Sequence, residues 1–467
     1  MMLQVIKKEM PYIIMKKWFV CFLLFFISSC QSDDDTTLPP TEDSINGFWL
    51  SEELGYILEF TDGKDVVYNI NSAGCAIADD DFELEDFVPN LVSGNELILT
   101  TDLNESDFEF TRLSNQNPTC LPDQIADTDD PKVNFDHFWN IFNDYYAFFE
   151  ARNVDWSQYE SLRDQVTTDN FYDILEELVV LLEDGHVSII DDENGIEIDS
   201  GLPKLLEKFN ENLSGDLIVE NGDDVGELFN QKATTIVTEY LGGDFEIDER
   251  RNIVWGLIND TVGYVNILTM AGYGSDFSNE MSTLNLILDT MMNDISASGV
   301  SKLIIDIRLN GGGHDTAALD IVSRFMDQER FLYTKKFRLG DSFTEKRAVS
   351  VGPKGDFQFT GDIVLLTSPA SISAADLFAL CMKDLPYVTI VGENTAGALS
   401  NVLSHTLPNG AEIGLSNEVY EDPQGVIFEV VGIGPENQEN QIPFLSTLDF
   451  QEKKDSGIER AIEILQQ

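Results

Sequence analysis

The sequence predicts a mixed α/β core, with a helical subdomain before it and a small all-β domain at the front. Three observations lead there. Residues 45–115 run as short, partly alternating segments, YILEFTD, VVYNIN, ELILTTDL and FEFTRL, the period of half-buried strands. From 132 the period changes: Phe135, Phe138, Trp139, Phe142, Tyr145, Tyr146 and Phe149 recur every three or four residues, one face of a helix. After 260, VGYVNIL, KLIIDIRL, DIVLLTS and YVTIVGE alternate with helical runs, as in a sheet covered by helices.

Charge bounds the partners. The 467 residues hold 28 Lys+Arg against 84 Asp+Glu, a net −56 at pH 7. Such a field excludes a nucleic-acid phosphate backbone as partner and opposes an anionic membrane surface. With 43% hydrophobic and 10% aromatic residues, the chain still has enough apolar surface for packed cores. No stretch after residue 30 is long and apolar enough to be expected to span a bilayer.

The first 29 residues read as a signal. Lys16-Lys17 precede the apolar run Trp18 to Ile27, then Ser28-Ser29-Cys30. Ile27-Ser28-Ser29-Cys30 resembles a bacterial lipobox, which implies cleavage before Cys30, lipid on its sulfur and anchoring at the cell envelope, in the outer membrane. Gln31-Ser32-Asp33-Asp34-Asp35 is similar to the export tag of surface lipoproteins in the Bacteroidetes, or is a plain solvated tether. Loss of residues 1–29 leaves 24 basic and 83 acidic residues, a net −59. Residues 30–44, acidic and with Pro39-Pro40, read as a linker.

In the 45–115 segment Asp62-Gly63 is a hairpin signal, and Gly47-Phe48-Trp49 is similar to the G-x-W start of lipocalin-like domains. Residues 116–131 have the Pro, Asn and Asp content of a boundary. The helical subdomain covers 132–187, with a second helix from Phe171 to Leu182. Residues 188–255 are acidic and poorly patterned and receive no assignment. The core is expected over 256–450 and a C-terminal helix over 451–467. Cys75 and Cys120 flank one small segment and can form a disulfide; Cys381 reads as a buried thiol, and no Cys/His spacing suggests a metal.

Chemistry narrows to few residues. Of the four histidines, His137 lies in the aromatic helix, His314 follows Gly313 at a helix start, and His405 lies in a polar stretch read as a loop. His186 follows Asp184-Gly185 at a helix end, where a side chain can face a cleft. Ser373 falls at the strand–turn–helix junction of DIVLLTSPASISAADLFAL, beside N–H groups and the positive end of a helix dipole. Ser373-Ala374-Ala375-Asp376 is also a capping pattern. Arg308-Leu309-Asn310-Gly311-Gly312-Gly313-His314 closes a strand with glycines that let backbone approach a ligand. It lacks the G-K-[ST] of a phosphate loop.

These segments, with Gly263-Tyr264-Val265, Gly392-Glu393-Asn394-Thr395-Ala396-Gly397 and Gly432-Ile433-Gly434-Pro435, stand in one order. From about 132 to 448 the chain resembles the carboxyl-terminal processing proteases, in their tricorn-core and interphotoreceptor-retinoid-binding-protein-like branch. The resemblance implies a crotonase/Clp-protease-like core of ββα units and a serine peptidase acting on peptide or unfolded protein without a cofactor. It places the nucleophile at Ser373, the base at His186 and its orienting carboxylate at Glu429. The N–H groups of Gly312, Gly313 and Ala374 would form the oxyanion hole. The family's alternative base, a lysine, would fall on Ala398. Departures are Asp376 for the usual Glu, Gly-Gly-Gly for Pro-Gly-Gly, Gly-Pro-Glu-Asn in the C-terminal motif, and no clear PDZ pattern in 188–255. A non-catalytic binding lipoprotein with the same fold is the alternative reading.

Overall fold

A computed structural model describes residues 44–467 apart from 62–63, 79–86, 104 and 106. The signal, Cys30 and Asp62-Gly63 lie outside the described residues.

The front domain is one antiparallel sheet. Its strands are β1 (Gly47–Ser51), β2 (Tyr56–Thr61), β3 (Lys64–Asn71), β4 (Gly74–Ile77), β5 (Val88–Ser93), β6 (Glu96–Thr100) and β7 (Phe108–Leu113), in the order β4-β3-β2-β1-β7-β6-β5. Trp49 is fully buried beneath it, with the Arg112 guanidinium 4.1 Å over its ring. Cys75 and Cys120 are disulfide-bonded, so the 116–131 stretch is stapled to β4.

The aromatic stripe forms α1 (Pro131–Tyr145), capped by the Asp130 side chain on the N–H of Lys132 and Val133. The helix ends before the stripe does. Tyr146 is extended, and the Ala147 N–H pairs with the Ser416 carbonyl, drawing the chain onto a neighbouring strand. The stripe packs against the inner face of the front domain in one continuous core with Leu58, Leu97 and Phe110. The front domain is therefore docked on its partner through buried apolar surface.

The unassigned 188–255 stretch folds after α2 (Phe171–Val180) into β8 (Ser188–Asp191), β9 (Ile196–Asp199), α3 (Leu202–Asn210), α4 (Gly222–Thr235), β10 (Phe245–Ile247) and the start of β11 (Ile253–Asn259). Its helices α3 and α4 pack on Leu309, Ala370 and Phe444 and form one wall of a cleft.

The core continues through β12 (Val262–Ile267), α5 (Glu280–Ser298), β13 (Lys302–Asp306), α6 (Asp315–Ser323), β14 (Arg330–Leu339), β15 (Ser342–Phe343), β16 (Arg347–Val351), β17 (Asp362–Thr367), α7 (Ala374–Met382) and β18 (Val388–Gly392), with β14, β15 and β16 in a sheet apart from the main one. Strand order is β10-β11-β12-β13-β17-β18, parallel from β12 onward. All six residues of β12 are buried, because α5, α6 and α7 cover one face and the C-terminal α9 (Ser456–Leu465) covers the other. Between β18 and α9 lie β19 (Val402–Thr406), β20 (Glu412–Ser416), β21 (Glu418–Glu421) and α8 (Thr447–Glu452). Strand β21 pairs with β14, and the order β19-β20-β8-β9 makes a separate sheet. His405, read as a loop residue, is thus a buried strand residue, its ring Nε2 2.8 Å from the Leu54 carbonyl of the front domain.

An ion network locks the C-terminus to the core. Arg308 bonds Asp306 (2.6 Å) and Asp455 (2.8 Å), and Lys232 of α4 reaches Asp449 (2.8 Å) and Asp455 (3.2 Å), all buried. Among the described residues no helix is long and apolar enough to cross a membrane.

Candidate active site

Ser373 is presented by a turn pinned to the end of β13. Ser368 and Ser371 donate to the Arg308 and Ile307 carbonyls (2.7 and 2.8 Å), and the Ile372 N–H donates to the Asn310 carbonyl. This drives Ser373 to φ 60°, ψ −120°, a strained conformation for a residue with a β-carbon. Its N–H is held by Asp376 (2.9 Å), whose carboxylate also accepts from the Gly397 and Ala398 N–H groups. Burial pushes the Asp376 carboxyl up to about 7 against the pull of those donors.

The glycine run explains itself at two positions. A β-carbon on Gly312 (φ +100°) would lie 2.6 Å from Ser373 Cβ, and one on Gly313 (φ +140°) 2.4 Å from the Met270 carbonyl carbon. The turn has to pass this close to the serine. The expected oxyanion donors divide. The Gly312 N–H is already given to Asn310 Oδ1 at 2.8 Å, because the buried Asn310 also anchors the turn to the Ile267 carbonyl (3.0 Å). Gly313 and Ala374 have N–H groups with no acceptor among the described residues.

His186 faces the same cleft as Ser373, a groove of about 1050 Å³ also lined by Gly311, Gly313, Ala398 and the α3–α4 wall. Its loop packs on the residue before the serine: a β-carbon on Gly185 would sit 3.7 Å from Ile372 and from Ala398. The loop is fixed by the fully buried Asp184, which accepts from the His186 N–H (2.9 Å), Tyr146 (2.8 Å) and Ser416 (3.1 Å). Both ring nitrogens of His186 are buried without a partner among the described residues. Burial lowers the imidazole below its usual value, Asp184 pulls it up and Arg152 pushes it down.

Glu429 is close by but not on the ring, which corrects the expectation drawn from sequence. One of its oxygens takes Arg152 Nη2 (2.5 Å), the other the Leu399 N–H (2.6 Å). Arg152 also lies 3.4 Å from Asp184 and donates to the Leu182 and Glu183 carbonyls. A buried carboxylate has to be compensated, and the nearest full charge is this guanidinium. Burial and Asp184 both push the Glu429 carboxyl upward. Nothing in the sequence around Arg152 announces this role. Lys383 is bound to Asp384 and Asp422, and Lys302 to the Leu465 carbonyl, so neither reaches Ser373. His137 contacts Asn71 and His314 begins α6. No group of acids, histidines or cysteines among the described residues is arranged to hold a metal.

Residues 261–438 match the model of peptidase family S41. The chain is 27% identical over 176 residues to a carboxyl-terminal-processing protease of Synechocystis, covering 37% of this chain and 39% of that one. A second such protease, from Picosynechococcus, is 29% identical over 152 residues, 32% and 35% of the two chains. The matched stretch thus spans under two fifths of either relative. A solved structure from Parabacteroides merdae shares the fold, with a TM-score of 0.58 and 24% identity over 72% of this chain and 97% of that one.

Proposed function

Residues 261–438 belong to peptidase family S41, and from that membership we propose that the chain is a lipid-anchored serine endopeptidase with a crotonase/Clp-protease-like core. The observation that carries the reading is the strained Ser373 at a helix start, in one cleft with a buried, unpartnered His186. The His186 imidazole takes the proton as the Ser373 hydroxyl attacks a peptide carbonyl carbon. The oxyanion is met by the Gly313 and Ala374 N–H groups. Collapse of the adduct passes the proton to the leaving amine, and water releases the acyl group by the same steps in turn. The lowered basicity of His186 keeps it neutral, the form a general base needs. Glu429 and Asp184 act on it through Arg152 and through the loop backbone.

The test is a fluorophosphonate probe, which requires an activated serine. Labelling of the wild type that is lost in Ser373→Ala is the expected result; an unlabelled wild type defeats the reading. The missing carboxylate on the His186 ring favours one alternative, a binding lipoprotein in which Ser373 only caps α7. An unlabelled protein that still binds peptides promotes it. Anchoring rests on the Ile27–Cys30 tetrad; Cys30→Ser should move the protein out of the membrane fraction, and an unchanged fraction rules anchoring out. The lipocalin-like reading of the front domain rests on Gly47-Phe48-Trp49 and on Arg112 stacked over the buried Trp49.

A further inference from the structure

We propose that an extended polypeptide docks as an added strand on the free edge of β19, leading from the Ser373–His186 cleft to a cavity beneath the front domain. The choice of a polypeptide as occupant rests on the peptidase reading above.

Strand β19 ends its sheet, with β20 on one side only. Its outward groups follow from the register. The Leu407 N–H donates to the Ala411 carbonyl, whereas the Thr406 N–H turns away to Asn69 Oδ1 (2.8 Å). Ladder bonds alternate along an antiparallel pair, so the peptide groups of Val402, Ser404 and Thr406 face away from β20. The front domain clamps part of this edge: Tyr56 donates to the Ser404 carbonyl (2.6 Å) and Asn69 holds Thr406. The Val402 N–H and C=O and the Ser404 N–H have no partner among the described residues, and both residues are exposed. Unpaired edge groups are a template for another strand.

The open stretch begins at the reacting pair. Val402 lines the catalytic cleft, and a β-carbon on Gly414 would touch Val402 Cγ1 at 3.2 Å and the His186 carbonyl at 3.4 Å. The segment entering β19 donates from Gly397 and Ala398 to the carboxylate that holds Ser373.

The other end is a cavity of about 220 Å³ between the front domain and the core, lined by Tyr56, Phe87, Phe108, Val402, Asn69 and His405. Asn69 and His405 are each 2% exposed, and each has one polar atom without a partner, Nδ2 and Nδ1. His405 Nε2 lies 2.8 Å from the Leu54 carbonyl, which only accepts, so Nε2 carries the hydrogen and Nδ1 is an acceptor. One buried donor and one buried acceptor match the C=O and N–H of a peptide group, and the aromatic lining suits an apolar side chain. The front domain, on this inference, forms the far end of the substrate path.

The experiment measures binding by fluorescence anisotropy to full-length Ser373→Ala, so it does not depend on turnover. The probe is a fluorescein-labelled Ala/Val/Lys peptide of about twelve residues, roughly 40 Å when extended. N-methylation is scanned along it. Strand addition predicts about tenfold weaker binding at alternate positions near the cleft and little change at those between. The double variant Ser373→Ala/Val402→Pro, which removes an N–H pointing away from β20, should bind about tenfold more weakly. Asn69→Leu should weaken this peptide but not one shortened by half. Absence of binding, or N-methyl effects without a two-residue period, overturns the proposal, as does full affinity in the proline variant. If that variant melts early, the N-methyl scan on the unaltered edge decides. Binding with the two-residue period but no fluorophosphonate labelling of the wild type would uphold the strand site while defeating the peptidase reading.

Discussion

The Arg152 guanidinium donates to the Glu429 carboxylate, 2.5 Å from Nη2 to Oε1, and the same Nη2 lies 3.4 Å from Asp184 Oδ2. Two buried acids therefore share one cation directly behind the His186 loop. Burial and the Arg152 cation oppose protonation of His186, and Asp184 favours it. The proposed base thus sits beside a charge cluster, with no carboxylate on its own ring among the described residues.

The pH profile follows from that cluster. Burial holds His186 below the usual imidazole value, so the acid limb of kcat/KM should lie below pH 6.5. Removing the guanidinium in Arg152→Gln leaves Asp184 and Glu429 unopposed, raises the folded-state pKa of His186 and moves the acid limb upward. Arg152→Lys should keep it near the wild-type position. A limb in Arg152→Gln that stays put or moves down contradicts this account.

Ser373→Ala and His186→Ala should each lower turnover by a similar factor, on the order of 10⁶, because the two act as one unit. Glu429→Gln should cost less, roughly 10², the price of a small misplacement, since it reaches His186 only through Arg152. Peptidase assays on the purified variants with an unstructured protein substrate check the ranking. Full activity in His186→Ala rules out the pair.

Stability should depend on Asp455. Burial opposes its ionisation, but Arg308 and Lys232 outweigh burial and hold the carboxyl below the ordinary range. A depressed folded-state pKa contributes stability above the unfolded value, about 3.9, that is lost as pH falls toward the folded one. Asp455→Asn leaves two buried cations short of a partner and should cost about 3–5 kcal/mol at neutral pH. Denaturant melts should also show a shallower loss of stability in acid. A variant as stable as the wild type refutes the assignment.

The Cys75–Cys120 disulfide closes a 45-residue separation and ties β4 to the segment before α1. Its removal in Cys75→Ala/Cys120→Ala should destabilise the front domain by about 4 kcal/mol. Thermal melts with and without reductant should differ in the wild type and coincide in the double variant.

With −56 on the chain, self-repulsion among exposed acids should be relieved by salt. The melting temperature should rise as monovalent salt goes from very low levels to about 0.15 M, where the screening length falls to about 8 Å. A flat or falling curve contradicts the prediction.

The periodicities of 2 and 3.6 were enough to mark the front domain, the aromatic helix and the parallel strands. Those patterns record which side of each element is buried, and burial is written locally. The glycine run at 311–313 and Ser373 at the mouth of α7 were legible for the same reason: a tight turn and a helix start are local events. Residues 188–255 were not legible, because α3 and α4 bury their apolar residues on partners far along the chain, such as Leu309 and Phe444. The end of α1 was also set from afar, by the Ser416 carbonyl. The family resemblance places Glu429 on His186 by its position three residues before Gly432, and motif position says nothing about which charge a buried acid meets. Arg152, 277 positions before it, supplied the counter-charge. Which segments bury and which residues can do chemistry are written locally in the chain; which buried charges pair is set by the fold, because desolvated ions are satisfied by whatever it brings within a few ångströms.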